Sequence, residues 1–113
     1  MTHQHPALAG FIVAVAALTA GTTHAAVDGA AAKALATKSA CMACHAIDKK
    51  LVGPAYKDVA AKYKGMATDK LAASIKAGGS GKWGPVPMPA QAALSDADAK
   101  VLAAWILAGA PDK

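Results

Sequence analysis

The 113-residue chain contains neither arginine nor glutamate; twelve lysines and seven aspartates carry its formal charge of +5. A lysine surface without guanidinium forks or interleaved aromatic rings lacks the grip that nucleic-acid binding requires, so docking on an acidic protein surface is the better expectation. Aromatic residues amount to 4%, and once Phe11 is set aside with the leader described below, Tyr56, Tyr63, Trp83 and Trp105 are the large rings left. A domain this small and this poor in rings buries little apolar surface by itself, and needs a staple or a buried prosthetic group to fill its centre. Long apolar runs are missing too. The run from Ala7 to Ala20 has fourteen residues, too few for the roughly 20 of a membrane-crossing helix. Histidine is scarce where it counts, because His3, His5 and His24 lie in the first 25 residues and leave His45 alone in the remainder.

The short apolar run followed by Thr23-His24-Ala25 has the layout of a secretory leader, with a small-residue cleavage site after Ala25 or Ala26. Its first residues offer His3, His5 and the terminal amine where Lys or Arg is usual. Residues 1–25 therefore read as a signal peptide, and residues 26–113 as a single exported domain, monomeric, periplasmic and free of the membrane after cleavage.

Along that domain the pattern is helical. Asp28 caps a helix through about Ser39, in which Ala30, Ala31, Ala34, Leu35 and Lys38 recur at helical spacing. A turn at Gly53-Pro54 precedes a second helix predicted over Tyr56–Lys64, stopped by Gly65, and Asp69 opens a third that ends before Gly78-Gly79. From Gly78 to Leu94 the composition switches to Gly and Pro, with Pro85, Pro87 and Pro89 alternating, which predicts a stiff extended loop. Ser95 and Asp98 form a capping pattern for a last helix, with Val101, Leu102, Trp105 and Ile106 on one face and Gly109 and Pro111 at its end. Four short helices thus surround an irregular centre.

What is present at that centre is Cys41-Met42-Ala43-Cys44-His45. Two thiols three residues apart can add to the two vinyl groups of a haem while the adjacent imidazole meets the iron. A thioredoxin-like dithiol would want a strand before the motif and a βαβ pattern, and neither is found. A structural zinc site needs four ligands, whereas two cysteines and one histidine leave aspartate to complete it. Covalent haem is the reading that uses both thiols and the imidazole of the motif.

With one histidine, bis-histidine ligation is excluded within the monomer, and the sixth position falls to Met42, Met66, Met88, a lysine or nothing. Met42 is tied to the His45 side, and Met66 follows Gly65 in a helix connection, where an apolar gap-filler is the ordinary role. Met88 stands in Pro85-Val86-Pro87-Met88-Pro89, where prolines remove backbone freedom and amide donors together, so a thioether is presented there with little ordering cost. Met88 is the expected partner of His45. Trp105 belongs in the core. Trp83, in the ligand loop, needs a partner for its indole N–H if buried, which a haem propionate or simple packing would meet differently.

These segments, together with Val52-Gly53-Pro54-Ala55-Tyr56, Trp83 to Pro89 and the helix from Ser95 to Leu107, resemble the small bacterial class I cytochromes c of the periplasmic c-551 type. The likeness runs in order through nearly the whole exported domain. It implies an all-α, class I cytochrome c fold of four short helices wrapped around one covalently bound haem c. It further implies that His45 and Met88 are the axial ligands, that Pro54 offers its carbonyl to the imidazole N–H, and that Trp83 lies by a propionate. Two positions depart from the family: Ala36 stands where an aromatic is usual on the first helix, and Gln91 where an Asn follows the methionine.

Iron with both axial positions filled changes oxidation state but leaves no place for a substrate, so the expected function is a single-electron carrier between respiratory complexes and a terminal reductase, oxidase or peroxidase. A peroxidase-like enzyme would need a distal acid/base, and no histidine remains for it. A sensor that releases its methionine is the other alternative, and high-spin bands in the resting protein would reveal either. Lys49, Lys50, Lys57, Lys76 and Lys82 are the candidates to ring the exposed haem edge and meet redox partners, against the ordinary role of a surface lysine, which is to solvate a face.

Overall fold

The computed structural model describes residues 1–3, 9–16 and 27–113, so the expected leader lies largely outside the described residues. Four helices follow in order: α1 (Gly29–Lys38), α2 (Tyr56–Lys62), α3 (Thr68–Ala77) and α4 (Asp96–Leu107), with one 3-10 turn at Cys41–Ala43. Among the described residues, strand-like pairing is confined to an isolated antiparallel bridge between Gly79 and Met88.

Each helix begins and ends for local reasons. The Asp28 carboxylate accepts the Ala31 N–H at 3.0 Å and so caps α1, while Lys38 in its last turn sits at the negative end of the helix dipole. α2 is shorter than the predicted Tyr56–Lys64. Tyr63 already leaves helical geometry with φ −104° and ψ 23°, and Gly65 takes the left-handed φ of 83° that a glycine adopts without steric cost. α3 starts at Thr68 rather than Asp69, which places Asp69 in the first turn near the positive end of the dipole. At α4 the Ser95 hydroxyl accepts the Asp98 N–H at 3.1 Å, as its capping pattern predicts.

α4 is the hub and packs on each of the other three helices. Its Leu102 and Trp105 are fully buried, and the core around them consists of aliphatic side chains, alanines and Tyr56, with no buried polar or charged side chain among the described residues. The Trp105 indole N–H donates to the Pro111 carbonyl at 2.9 Å, which folds the C-terminal residues back and satisfies the one polar atom that this ring buries. Removing the ring would cost ~3–5 kcal/mol. α1 lies on α4 through small side chains, and Ala36, where a larger ring was expected of the family, is itself fully buried, so the helices close over it. Two ion pairs, Lys76 with Asp96 and Lys100 with Asp69 at 3.5 Å, join α3 to α4 on the outer face.

Candidate haem site

The cysteine motif is shaped by its backbone. Ala40 adopts a left-handed φ of 61°, after which the Cys44 and His45 amides both donate to the Cys41 carbonyl, at 3.2 and 3.0 Å. This tight turn sets both sulfurs on the wall of one cavity, Cys41 half-buried and Cys44 exposed. Burial pushes the Cys41 thiol up, opposed in part by a hydrogen bond from Tyr56.

His45 is held on three sides. Its Nδ1 lies 2.8 Å from the Pro54 carbonyl. A carbonyl only accepts, so the proton sits on Nδ1, and Nε2 keeps the lone pair that a metal would take. The Tyr56 ring stacks on the imidazole at 4.9 Å between centroids and 19° between planes, and meets Trp105 edge-on at 5.4 Å. Gly53 passes so close to the third side that a Cβ there would stand 2.5 Å from His45 Cε1 and 2.8 Å from Nδ1. The segment that carries these contacts is pinned at both ends: the Gly53 amide donates to Cys44 at 2.7 Å, and the Tyr56 amide to Ala46 at 2.9 Å. Burial raises the Tyr56 phenol far above its ordinary range, so it remains a neutral donor.

Met88 sits opposite in chain order but on the same cavity. The Gly79 amide donates to its carbonyl at 3.0 Å and its own amide to the Gly79 carbonyl at 2.7 Å, which closes residues 79–88 into a narrow loop. Gly78, at φ 65°, passes against the Met88 and Pro89 backbone, where a Cβ would collide with the Met88 carbonyl oxygen. Met42 and Met66 are partly buried against the core and do not line the cavity. Gln91 donates from Nε2 to the Pro89 carbonyl at 3.0 Å and from its amide to Lys76, which anchors the far end of the loop to α3.

The cavity measures about 420 Å³, within the range of cofactor sites, ~300–1,000 Å³. Its floor is apolar, supplied by Leu71, Ile75, Leu102 and Ile106. An apolar ring anchored by two thiols and one imidazole fits this wall, since it fills the space and uses each of those groups.

Of the five lysines expected around the edge, Lys82 lines the cavity. Lys57 is instead paired with Asp48 at 2.6 Å, which holds its ammonium above the usual lysine range, and Lys76 is paired with Asp96, whose carboxyl is held low in turn. Their charges are therefore partly neutralised on the protein itself. Trp83 also lines the cavity and is 36% exposed, with Tyr63 edge-on at 6.0 Å. The Lys62 ammonium stands 4.3 Å over the Trp83 ring. Lys62 and the role of Gly53 as a wall for His45 went unread in the sequence; a glycine beside the proline that faces a lone histidine was the available sign for the latter.

The cytochrome c family profile matches residues 29–110. The chain belongs to the cytochrome c family. It is 51% identical over 100 residues to cytochrome c-552 of Nitrosomonas europaea, which covers 87% of this chain and 91% of that protein. It is 56% identical over 75 residues to cytochrome c-551 of Allochromatium vinosum, covering 65% of this chain and 80% of that one. The crystal structure of wild-type Nitrosomonas europaea cytochrome c552 superimposes with a TM-score of 0.65 at 54% identity, over 68% of this chain and 98% of the other. The fold is thus the all-α cytochrome c fold, the cofactor one covalently bound haem c, and the protein an electron carrier rather than an enzyme.

Proposed function

We propose that the protein is a periplasmic single-electron carrier whose haem is tethered by Cys41 and Cys44 and ligated axially by His45 and Met88. The observation that carries the reading is the 2.8 Å contact between His45 Nδ1 and the Pro54 carbonyl, which fixes the tautomer and leaves Nε2 for iron, on a cavity that Met88 also lines. When bound, the haem supplies a one-electron couple that needs no proton or leaving group at the protein. The chain's own contribution is positional. Pro54, Gly53 and Tyr56 orient the imidazole, and the carbonyl partner raises its basicity. The Gly79–Met88 loop presents the thioether, and the aliphatic floor keeps water from the centre. Both ligand sides being protein-filled favours little rearrangement between oxidation states.

Val52 and Val86 line the cavity and are 54% and 58% exposed, beside Lys82, so the mouth presents an apolar patch with a positive margin. Such a surface suits brief docking on an acidic redox partner, such as a terminal reductase, oxidase or peroxidase. Trp83 and its neighbours at the mouth would meet a propionate. Export from residues 1–25 accords with a leader whose described apolar residues, Phe11, Ile12, Val13 and Val15, are exposed rather than packed, and no described helix is long and apolar enough to cross a membrane.

Paired substitutions test the ligand assignment. Met88→Ala is expected to abolish the methionine-to-iron charge-transfer band and lower the potential, because a thioether favours ferrous iron. Met66→Ala should leave the band intact and cost at most ~2–5 kcal/mol of packing. The reverse pattern would overturn the distal assignment and leave the attachment at Cys41 and Cys44 standing.

A further inference from the structure

The loop that carries Met88 has an outer support that its own sequence does not supply. Between the bridge residues Gly79 and Met88, residues 80–87 are all exposed, and their internal support is one hydrogen bond from the Gly81 amide to the Gly84 carbonyl at 3.1 Å. Among the described residues, the hydrogen bond that ties this tip to another element comes from Lys62, the last residue of α2, whose Nζ donates to the Lys82 carbonyl at 2.9 Å. The same ammonium lies 4.3 Å from the Trp83 ring centroid and 5.7 Å from that of Tyr63. One cation therefore holds two consecutive loop residues, by their backbone and by their ring, to a helix that also carries Tyr56, the residue stacked on His45.

From this geometry we infer that Lys62 is a positioning residue of the distal side: it straps the tip of the 79–88 loop to α2 and thereby sets how often Met88 leaves its place. The inference rests on the assignment of Met88 as a ligand for its consequence at iron, but the strap itself is a property of the loop. An ammonium suits the role because it donates to a carbonyl and faces a π-cloud at once, whereas a neutral side chain of equal length does neither. The loop cannot compensate from within, since Pro85, Pro87 and Pro89 have no amide to donate. Loss of the strap lets the tip swing about the Gly79–Met88 bridge while α3 and Gln91 hold the loop's base.

The test uses the ferric holoprotein and two readouts. The first is the limiting rate at which saturating imidazole replaces the thioether, followed by loss of the charge-transfer band, which reports opening of the loop. The second is amide hydrogen exchange at Gly79 and Met88, with Leu102 and Trp105 of α4 as internal reference. Lys62→Met, which keeps the stem and removes the charge, is expected to raise both loop readouts at least about tenfold, since one exposed cation–π contact and one charged hydrogen bond together exceed that scale. Lys62→Arg, which stacks and donates as well, should stay within about twofold of the parent. Exchange in α4 should not change. Wild-type rates in Lys62→Met, equal acceleration in the loop and in α4, or failure of Lys62→Arg to restore the parent rates would each overturn the strap. If the parent protein lacks the band, the ligand assignment fails by itself, and exchange at Gly79 and Met88 still decides the role of Lys62.

Discussion

Gly53 is the position where a single methyl group should do most damage to the proximal side. The Cβ of Gly53→Ala would stand 2.5 Å from His45 Cε1, where ordinary packing begins at 3.4 Å, so the ring must retreat by about 0.9 Å. It has little room to do so. Tyr56 stacks on the imidazole, and behind it lies fully buried Trp105. A displacement of that size is enough to take the 2.8 Å bond to Pro54 out of range. Overpacking costs ~1–3 kcal/mol and a lost hydrogen bond ~1 kcal/mol more, so denaturant unfolding should register about 2–4 kcal/mol of destabilisation. A second readout separates this from general damage. If His45 is the iron ligand proposed above, it becomes a weaker donor without its carbonyl partner, ferric iron is less well supported, and the potential should rise. Gly65→Ala is the control: it forces a side chain into φ 83° but meets nothing within 4 Å, so it should lose stability through strain and leave the potential alone. The reasoning is refuted if Gly53→Ala unfolds at the parent's denaturant midpoint with the parent's potential.

Three further outcomes are expected. Trp105→Phe removes the donor to Pro111 and part of the core volume, and should cost ~1–3 kcal/mol in denaturant titration without altering the visible spectrum. Asp96 is depressed below its ordinary value of 3.8 by Lys76, so the pair stabilises the fold above that pH and the benefit is lost as pH falls through the lower folded value; the stabilities of the parent and Asp96→Asn, measured by unfolding across acid pH, should converge there. Electron exchange with an acidic partner should slow as salt rises, because exposed charges are screened beyond ~10 Å at 0.1 M, and stopped-flow rates indifferent to salt would assign docking to Val52 and Val86 alone.

Helices and caps were legible because their signals are local. Asp28 and Ser95 each sit three residues before the amide they cap, and the Gly78–Leu94 loop announces itself by three alternating prolines. The end of α2 was misplaced because Tyr63 and Lys64 carry no stop signal of their own; the geometry of Gly65 is felt two residues earlier. The contacts that tune the site are a different matter. Lys62 and Lys82 are twenty residues apart, and one lysine among twelve has no sequence feature that marks it as the one reaching across. The pairing of Lys57 with Asp48 and of Lys76 with Asp96 likewise depends on how loop and helix are folded together, so the sequence overstated the free positive charge available to a partner.

The two sides of the cavity are built on unequal foundations, and that inequality has consequences. His45 is fixed within a stretch of twelve residues, by Gly53, Pro54 and Tyr56, and through Tyr56 it leans on the buried ring of Trp105 at the hub of the fold. Moving it means disturbing α4 and hence the whole domain. Met88 packs partly buried against the core, but its backbone is held by two hydrogen bonds to Gly79, by the anchor at Gln91 and, at the loop tip, by contacts from an exposed lysine. Local opening draws on the least stable part of a structure, so under the proposed ligation any exchange of an axial group should begin at Met88 while His45 stays in place. A carrier needs the proximal side to be rigid because it shares that side with the covalent tether. The distal side needs only to be closed most of the time, and the energy that closes it lies in loop contacts that substitution can reach without unfolding the protein.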